Sequence, residues 1–163
     1  MGDRVGRINF APSQHHRSQH HYITTSLHHY ITTSLHHYIQ TVMKQDEFNE
    51  LFRNRTKILA LRVITLLSDL KYIDSDAFGT IRKQLVRSVT STAANFRAVC
   101  RARSDRERFA KLCIVVEEAD ETLFWIEMII EAGFIPKEKM TDCYKEAEEV
   151  LKVMAAYKKK LQR

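Results

Sequence analysis

A helical repeat of apolar residues between Phe109 and Ile130 strongly limits what this chain can fold into. The residues are separated alternately by three and four positions, a spacing that keeps them on one side of an α-helix. They are Phe109, Leu112, Val116, Ala119, Leu123, Ile126 and Ile130. A helix with such a seam needs other helices to cover it, so the pattern predicts a helical bundle.

Three further helices are predicted around this one. Only 4 Gly and 2 Pro in 163 residues favour long uninterrupted elements over a turn-rich β-fold. Helix 1 is predicted over 46–71, and helix 2 runs from an N-cap at Asp74 or Ser75 to Arg101. Helix 3 begins at an N-cap, Ser104, with Glu107 completing a capping box, and is ended by Gly133. Pro136 is predicted as the first residue of helix 4. We therefore predict an all-α protein, an antiparallel up-down four-helix bundle. Its predicted core includes Leu85, Leu112, Val116, Leu123 and Leu151.

Residues 1–42 differ in composition from the rest of the chain. The repeat HYITTSLH occupies 21–28 and 29–36, and all 8 histidines precede Met43. Histidine pairs at this spacing offer an alternative role in metal binding. We interpret the segment instead as a disordered extension, read from a tandem DNA repeat upstream of a start at Met43. The predicted domains are this extension, 1–42, and a four-helix bundle, 43–163.

Residues that carry chemistry are scarce in the predicted bundle. Residues 43–163 contain no histidine, which removes the Glu-x-x-His pairs of di-iron bundles and any Ser–His or Cys–His nucleophile system. The segment also lacks a Gly-rich phosphate loop. We predict that the protein is not an enzyme and that it uses no cofactor and no metal.

The cysteines and the hydropathy pattern indicate a cytoplasmic protein. Cys100, Cys113 and Cys143 form an odd, widely spaced set without a C-x-x-C motif, which is typical of reduced thiols. The sequence contains no run of 18 apolar residues, which a membrane-spanning helix would need. The N-terminus lacks the apolar region of a secretion signal. We expect no membrane partner.

Positive charge is concentrated on predicted helix 2 and the turn after it. The net charge is +6, and residues 77–103 include no acidic side chain. Cations form one stripe opposite the apolar seam of this helix and continue into the turn: Lys83, Arg87, Arg97 and Arg101, then Arg103, Arg106 and Arg108. A face that served only solubility would normally mix signs, so the stripe predicts binding to the phosphates of RNA or DNA. The alternatives are an ordinary solvated face, or ion pairs with another subunit.

A second surface is predicted on the outer face of helix 3. Glu118, Glu121 and Trp125 point away from the apolar seam, and a Trp in that position indicates a contact surface. Complementary acidic and basic surfaces on one subunit favour a head-to-tail contact that closes into a ring. We predict a cyclic homo-oligomer with these three residues at the subunit boundary. The alternative is that helix 3 is more enclosed than a typical bundle helix.

Residues 83–129 resemble the four-helix-bundle family of 23S rRNA intervening sequence proteins. The matching features are Gln84-Leu85, Arg87-Ser88, Thr90-Ser91, Ala94-Asn95, the turn 101–104, Phe109, Lys111-Leu112, Glu118-Ala119, Glu121-Thr122 and Trp125. The resemblance implies a small bacterial bundle. A related branch of the family is the accessory variability protein of diversity-generating retroelements. Resemblance to that branch implies a homopentamer that binds nucleic acid and a reverse transcriptase.

Together these inferences predict a ring-forming, nucleic-acid-binding adaptor, with a pentamer implied by the resemblance. The alternative is a structural protein-interaction module, such as an accessory subunit of a reverse transcriptase, without nucleic-acid binding of its own.

Overall fold

Four α-helices make up the part of the chain that the structure, a computed structural model, describes, residues 44–69 and 75–162. They are α1 (Gln45–Ser68), α2 (Asp76–Val99), α3 (Asp105–Glu131) and α4 (Lys137–Leu161). Each helix packs against the next one in the chain, and α1 also packs against α4, which closes the bundle. The predicted extension 1–42 lies outside the described residues.

Contacts between helix ends show that neighbouring helices run antiparallel. At the start of α1, the Gln45 side-chain amide donates a hydrogen bond of 3.2 Å to the Tyr157 hydroxyl near the end of α4. At the start of α2, the Phe78 ring lies 5.1 Å from the ring of Phe134, just after α3. The prediction of an all-α, antiparallel four-helix bundle is confirmed.

Serine side chains begin α2 and α3, as the sequence predicts. The Ser75 hydroxyl accepts a hydrogen bond from the Phe78 amide, and the Ser104 hydroxyl accepts one from the Glu107 amide. The Glu107 carboxylate accepts from the Arg103 amide, one residue earlier than the reciprocal bond of a capping box. Asp74, the other predicted cap of α2, lies outside the described residues.

Gly133 ends α3 in the conformation that a glycine readily adopts. Its φ is 71°, its amide donates to the Ile130 carbonyl, and the Phe134 amide donates to the Ile129 carbonyl. These two bonds form a Schellman motif. Pro136 then serves as the N-cap of α4, not as its first helical residue, because its ψ of 137° is extended.

The end of α2 comes earlier than the sequence predicts. The last helical residue is Val99, after which the amides of Arg101 and Ala102 donate to the carbonyls of Ala98 and Val99. These tighter bonds close the turn, so Arg101 stands in the connection to α3.

The buried face of α3 is rotated from the predicted seam. Leu112, Ala119, Leu123 and Ile126 are buried, but Phe109, Val116 and Ile130 are only half-buried. Val115, Thr122 and Ile129 are buried in addition. The rotation arises because α3 packs against both α2 and α4, more extensively against α2. Leu85 is in the core as predicted, whereas Leu151 is half-buried.

Small polar side chains fill the contact between α2 and α3. Ser88 and Thr122 are buried, and the Thr122 hydroxyl donates to the Ser88 hydroxyl at 3.1 Å. The Thr122 hydroxyl also lies 2.8 Å from the Glu118 carbonyl of its own helix. Small hydroxyl side chains such as these let a neighbouring helix approach closely. Further along α2, the Asn95 side-chain amide donates to Ser91 of its own helix.

Replacing Ser88 by Leu should therefore destabilise the bundle more than replacing it by Ala. The larger side chain has no space between α2 and α3, and such overpacking costs about 1–3 kcal/mol. Ser88→Ala loses mainly one hydrogen bond, about 0.5–1.5 kcal/mol. Urea unfolding followed by circular dichroism measures both values. Equal stability of Ser88→Leu and wild type would contradict the close packing.

Candidate nucleic-acid interface

An open groove between α1 and α2 brings four cations together. Its cationic side chains are Arg53 and Lys57 from α1, Arg97 from α2 and Arg101 from the following turn. We call this feature the α1–α2 groove; its remaining lining residues are Asn54, Ala60, Leu61, Ile64, Thr90, Ala93 and Ala94. Cations from two separate helices thus face one channel on the surface.

The cations come in two pairs along the sequence. Arg53 and Lys57 are four residues apart on α1, a spacing that places their side chains on one side of the helix. Arg97 lies in the last turn of α2, and Arg101 follows four residues later in the turn after the helix. Arg53 also pairs with Glu50. Lys57, Arg97 and Arg101 form no ion pair within the described residues. Three cations of the groove are thus available to an external anion.

Short side chains leave the space that forms the groove. Thr90, Ala93 and Ala94 of α2 face Ala60 of α1, and none of them is long enough to fill the gap between the helices. The lining residues include no aromatic ring, so the groove offers no platform for stacking bases. It is suited to a phosphate backbone, which arginine side chains can contact through two hydrogen bonds at once.

Arg87, in contrast, is turned away from the groove and towards α3 of the same chain. Its guanidinium pairs with the carboxylates of Glu118, at 3.4 Å, and Glu121. The hydrogen bond from Arg87 lowers the pKa of the Glu121 carboxyl, and a second one from the Trp125 indole, at 2.9 Å, acts in the same direction. The Glu121 hydrogen bond and the Glu118 charge in turn raise the pKa of Arg87.

The other predicted cations, Lys83, Arg103, Arg106 and Arg108, lie outside the α1–α2 groove. Lys83 is exposed on α2 and Arg106 is exposed on α3, and neither has an ion pair within the described ranges. Arg103 pairs with Glu107 at 3.6 Å, and Arg108 pairs with Asp105 at 2.6 Å. The predicted stripe is therefore divided between groove residues, paired residues and isolated surface cations.

The acidic residues predicted at a subunit boundary have partners within the chain. Glu118 and Glu121 face Arg87, and Trp125 is half-buried with its indole N–H on Glu121. The ion pairing that we considered between subunits thus occurs inside one subunit. Next to Trp125, the ring of Phe124 lies 4.8 Å away in an edge arrangement and is exposed.

Arg53 and Lys57 were missed by the sequence interpretation, although a usable signal is present. From 51 to 68 the chain contains four cations and no acidic residue, the same bias that identified α2. That α1 and α2 present their cations to one groove depends on how the helices pack.

Together the helices and the groove define a small helical-bundle protein with a cationic surface channel. The chain belongs to the family described as 23S rRNA-intervening sequence protein, whose sequence profile matches residues 52–156. This confirms the family that the sequence resembles.

A solved structure supports the same assignment. A crystal structure of a protein with unknown function from the S23 ribosomal protein family of Bacteroides thetaiotaomicron is 28% identical, with a TM-score of 0.59. The match covers 66% of this chain and 97% of that one. No curated protein matches this chain. In the described residues, none of the helices has the length and apolar character needed to cross a membrane.

The Arg87 cluster yields a prediction about pH. Because the pKa of Glu121 is lowered in the folded state, its pairing stabilises the fold above the unfolded pKa of a glutamate, about 4.3. That contribution is lost as the pH falls through the lower, folded-state pKa. Arg87→Gln should therefore lower the melting temperature at pH 7 and have little effect in strong acid.

Thermal unfolding at a series of pH values measures this difference. Arg97→Gln is the matched control, since Arg97 is exposed and lacks an ion pair within the described residues. A pH-independent effect of Arg87→Gln would show that the ion pair is not the cause.

Proposed function

We propose that this protein is a non-enzymatic adaptor that binds the backbone of RNA or DNA in the α1–α2 groove. The observation that carries this proposal is that Arg53 and Lys57 of α1, Arg97 of α2 and Arg101 of the following turn line one channel. Phosphates are the common anion that a row of arginine and lysine side chains neutralises, and the resulting counterion release favours binding. Arg103, in the turn after α2, and Arg106, at the start of α3, add further positive charge within five residues of Arg101 in the sequence.

The proposal includes self-association. We propose a cyclic homo-oligomer, with five subunits by resemblance to the retroelement branch, in the cytoplasm of a bacterium. A ring repeats the groove around an axis, so that weak phosphate contacts on each subunit add through multivalency. A reverse transcriptase is a further partner that the same resemblance suggests.

A second candidate function is a protein-interaction module without nucleic-acid binding. The observation that favours it is the exposure of Phe124 and Met128 on α3, since exposed large apolar side chains commonly mark protein contacts. Binding experiments with the groove variants below separate the two functions.

Removing two groove cations should weaken nucleic-acid binding and reduce its salt dependence. With four cations engaged, log affinity for a DNA duplex should fall with log salt with a slope of about −3.6. Arg97→Gln together with Arg101→Gln should flatten this slope by about two and weaken binding at least about tenfold. Fluorescence anisotropy with labelled RNA and DNA duplexes, across a series of salt concentrations, measures both quantities.

The control removes two exposed cations of α4, Lys145 and Lys159, by the same substitution to Gln. Its net charge equals that of the groove variant, so a similar loss in both would indicate general attraction and would reject the groove. If the wild type binds neither duplex, the nucleic-acid proposal fails and the interaction module is favoured.

Self-association is tested separately by sedimentation velocity at micromolar concentration. We expect a species several times heavier than the 19.1 kDa chain, with a mass that depends on concentration if the ring is dissociable. A single species of the monomer mass over the whole concentration range would contradict the ring.

A further inference from the structure

Two separate apolar patches are exposed on the bundle. The large apolar side chains most exposed among the described residues are Ile58 and Leu61 on α1, at 47% and 52%, and Phe124 and Met128 on α3, at 48% and 36%. In an up-down bundle the first and third helices are diagonal neighbours, so their outer faces point in different directions. One subunit therefore carries two patches that cannot cover each other. We call Ile58 and Leu61 the α1 patch, and Phe124 and Met128 the α3 patch.

The α3 patch is surrounded by negative charge. Between residues 112 and 131, α3 contains six carboxylates and no cation. Glu118 and Glu121 face Arg87, and Glu127 accepts a hydrogen bond from the Tyr144 hydroxyl. The three others form no ion pair within the described residues: Glu117, Asp120 and Glu131.

Cations predominate along the α1 patch itself, whereas the carboxylates of α1, Asp46, Glu47 and Glu50, precede it and line a surface pocket together with Ile58. From residue 51 to 68 the helix contains four cations and no acidic residue. Arg53 pairs with Glu50, and Arg55 is held by two carboxylates of α4. Lys57 and Arg62 are exposed beside Ile58 and Leu61, without an ion pair in the described part of the chain.

We propose that the α1 patch of one copy packs on the α3 patch of the next copy. This inference rests on the self-association proposed above and assigns its contact surfaces. The apolar side chains, Ile58 and Leu61 against Phe124 and Met128, are the anchors, and the flanking charges are of opposite sign. Aromatic side chains and Met are enriched in the cores of such contacts.

The charges select a head-to-tail contact over a symmetric one. If two α3 patches met, Glu117, Asp120 and Glu131 would face their own copies, and like charges brought together cost free energy. Two different patches instead give a heterologous contact, which forms a ring where the rotation closes. Trp125, next to Phe124, then lies beside the boundary, whereas Glu118 and Glu121 keep Arg87 as their partner.

The contact also places the groove beside the subunit boundary. Leu61 belongs to both the α1 patch and the α1–α2 groove, and Lys57 of the groove is next to Ile58 in the chain, but Arg97 and Arg101 belong to the groove alone. The two sites can therefore be changed independently, with Ile58 and Phe124 as the interface positions.

A mixing experiment tests the assignment. Ile58→Glu blocks the α1 patch and Phe124→Glu blocks the α3 patch, and each variant alone should sediment as a monomer of 19.1 kDa. Mixed in equal amounts, they should form a dimer and nothing larger, because each contributes the one patch that the other lacks. Loss of a central anchor typically weakens an interface roughly 30-fold or more.

The controls separate misfolding from loss of contact. Ile58 and Phe124 are each about half exposed, so the melting temperatures of their variants should stay near that of wild type. Leu61→Glu and Met128→Glu provide a second pair of variants for the same mixing experiment. Lys145→Glu, on an exposed site of α4, should leave the assembly unchanged.

Two results would overturn the inference while leaving self-association intact. The first is an assembled wild type whose mass neither patch variant changes. The second is a mixture of the two variants that stays monomeric, which would show that the two patches do not bind each other. A monomeric wild type would overturn both the self-association and this inference, but it would not affect duplex binding in the groove.

Discussion

The close approach of α2 and α3 is the contact on which the rest of the structure depends. Ser88 and Thr122 meet inside it, and only short side chains permit two helices to come so near. The same approach sets Arg87 opposite Glu118 and Glu121. On its other side, α2 packs less extensively against α1, where Thr90, Ala93 and Ala94 leave the gap open as a groove. Tight packing on one side and small residues on the other thus divide the cations of α2 into paired and available ones.

Features encoded by neighbouring residues could be predicted from the sequence. Ser104 caps α3 and Gly133 ends it because both act through hydrogen bonds within a few positions along the chain. The four-helix fold followed from apolar spacing together with few Gly and Pro. The inward face of α3 was predicted less well. Adjacent apolar residues such as Val115 and Val116 look equivalent in the sequence, and the two flanking helices decide which one is buried.

The candidate site could be predicted only in part, because it joins distant segments. Arg97 and Arg101 were found from the local charge bias of α2, whereas Arg53 and Lys57 lie some forty residues earlier and reach the groove through packing. Arg87 shows the opposite limitation. In the sequence pattern it lies on the same stripe of α2 as the other cations, but the antiparallel alignment of α2 and α3 brings two carboxylates close to it. Helical periodicity identifies the face on which a charge lies, and the partner of that charge depends on the register between helices.

The distribution of charge also limits the direction from which a polyanion can approach. The unpaired groove cations are on the α1–α2 side, and the cation-free part of α3 presents Glu117, Asp120 and Glu131 on its outer face. At physiological ionic strength such fields act over about 8 Å, which is less than the width of the bundle. A phosphate backbone near the groove is therefore attracted locally, while the α3 face repels it. Opposite charges thus predominate on separate faces of one small bundle, so an anion and a basic protein surface would be attracted to different sides of it.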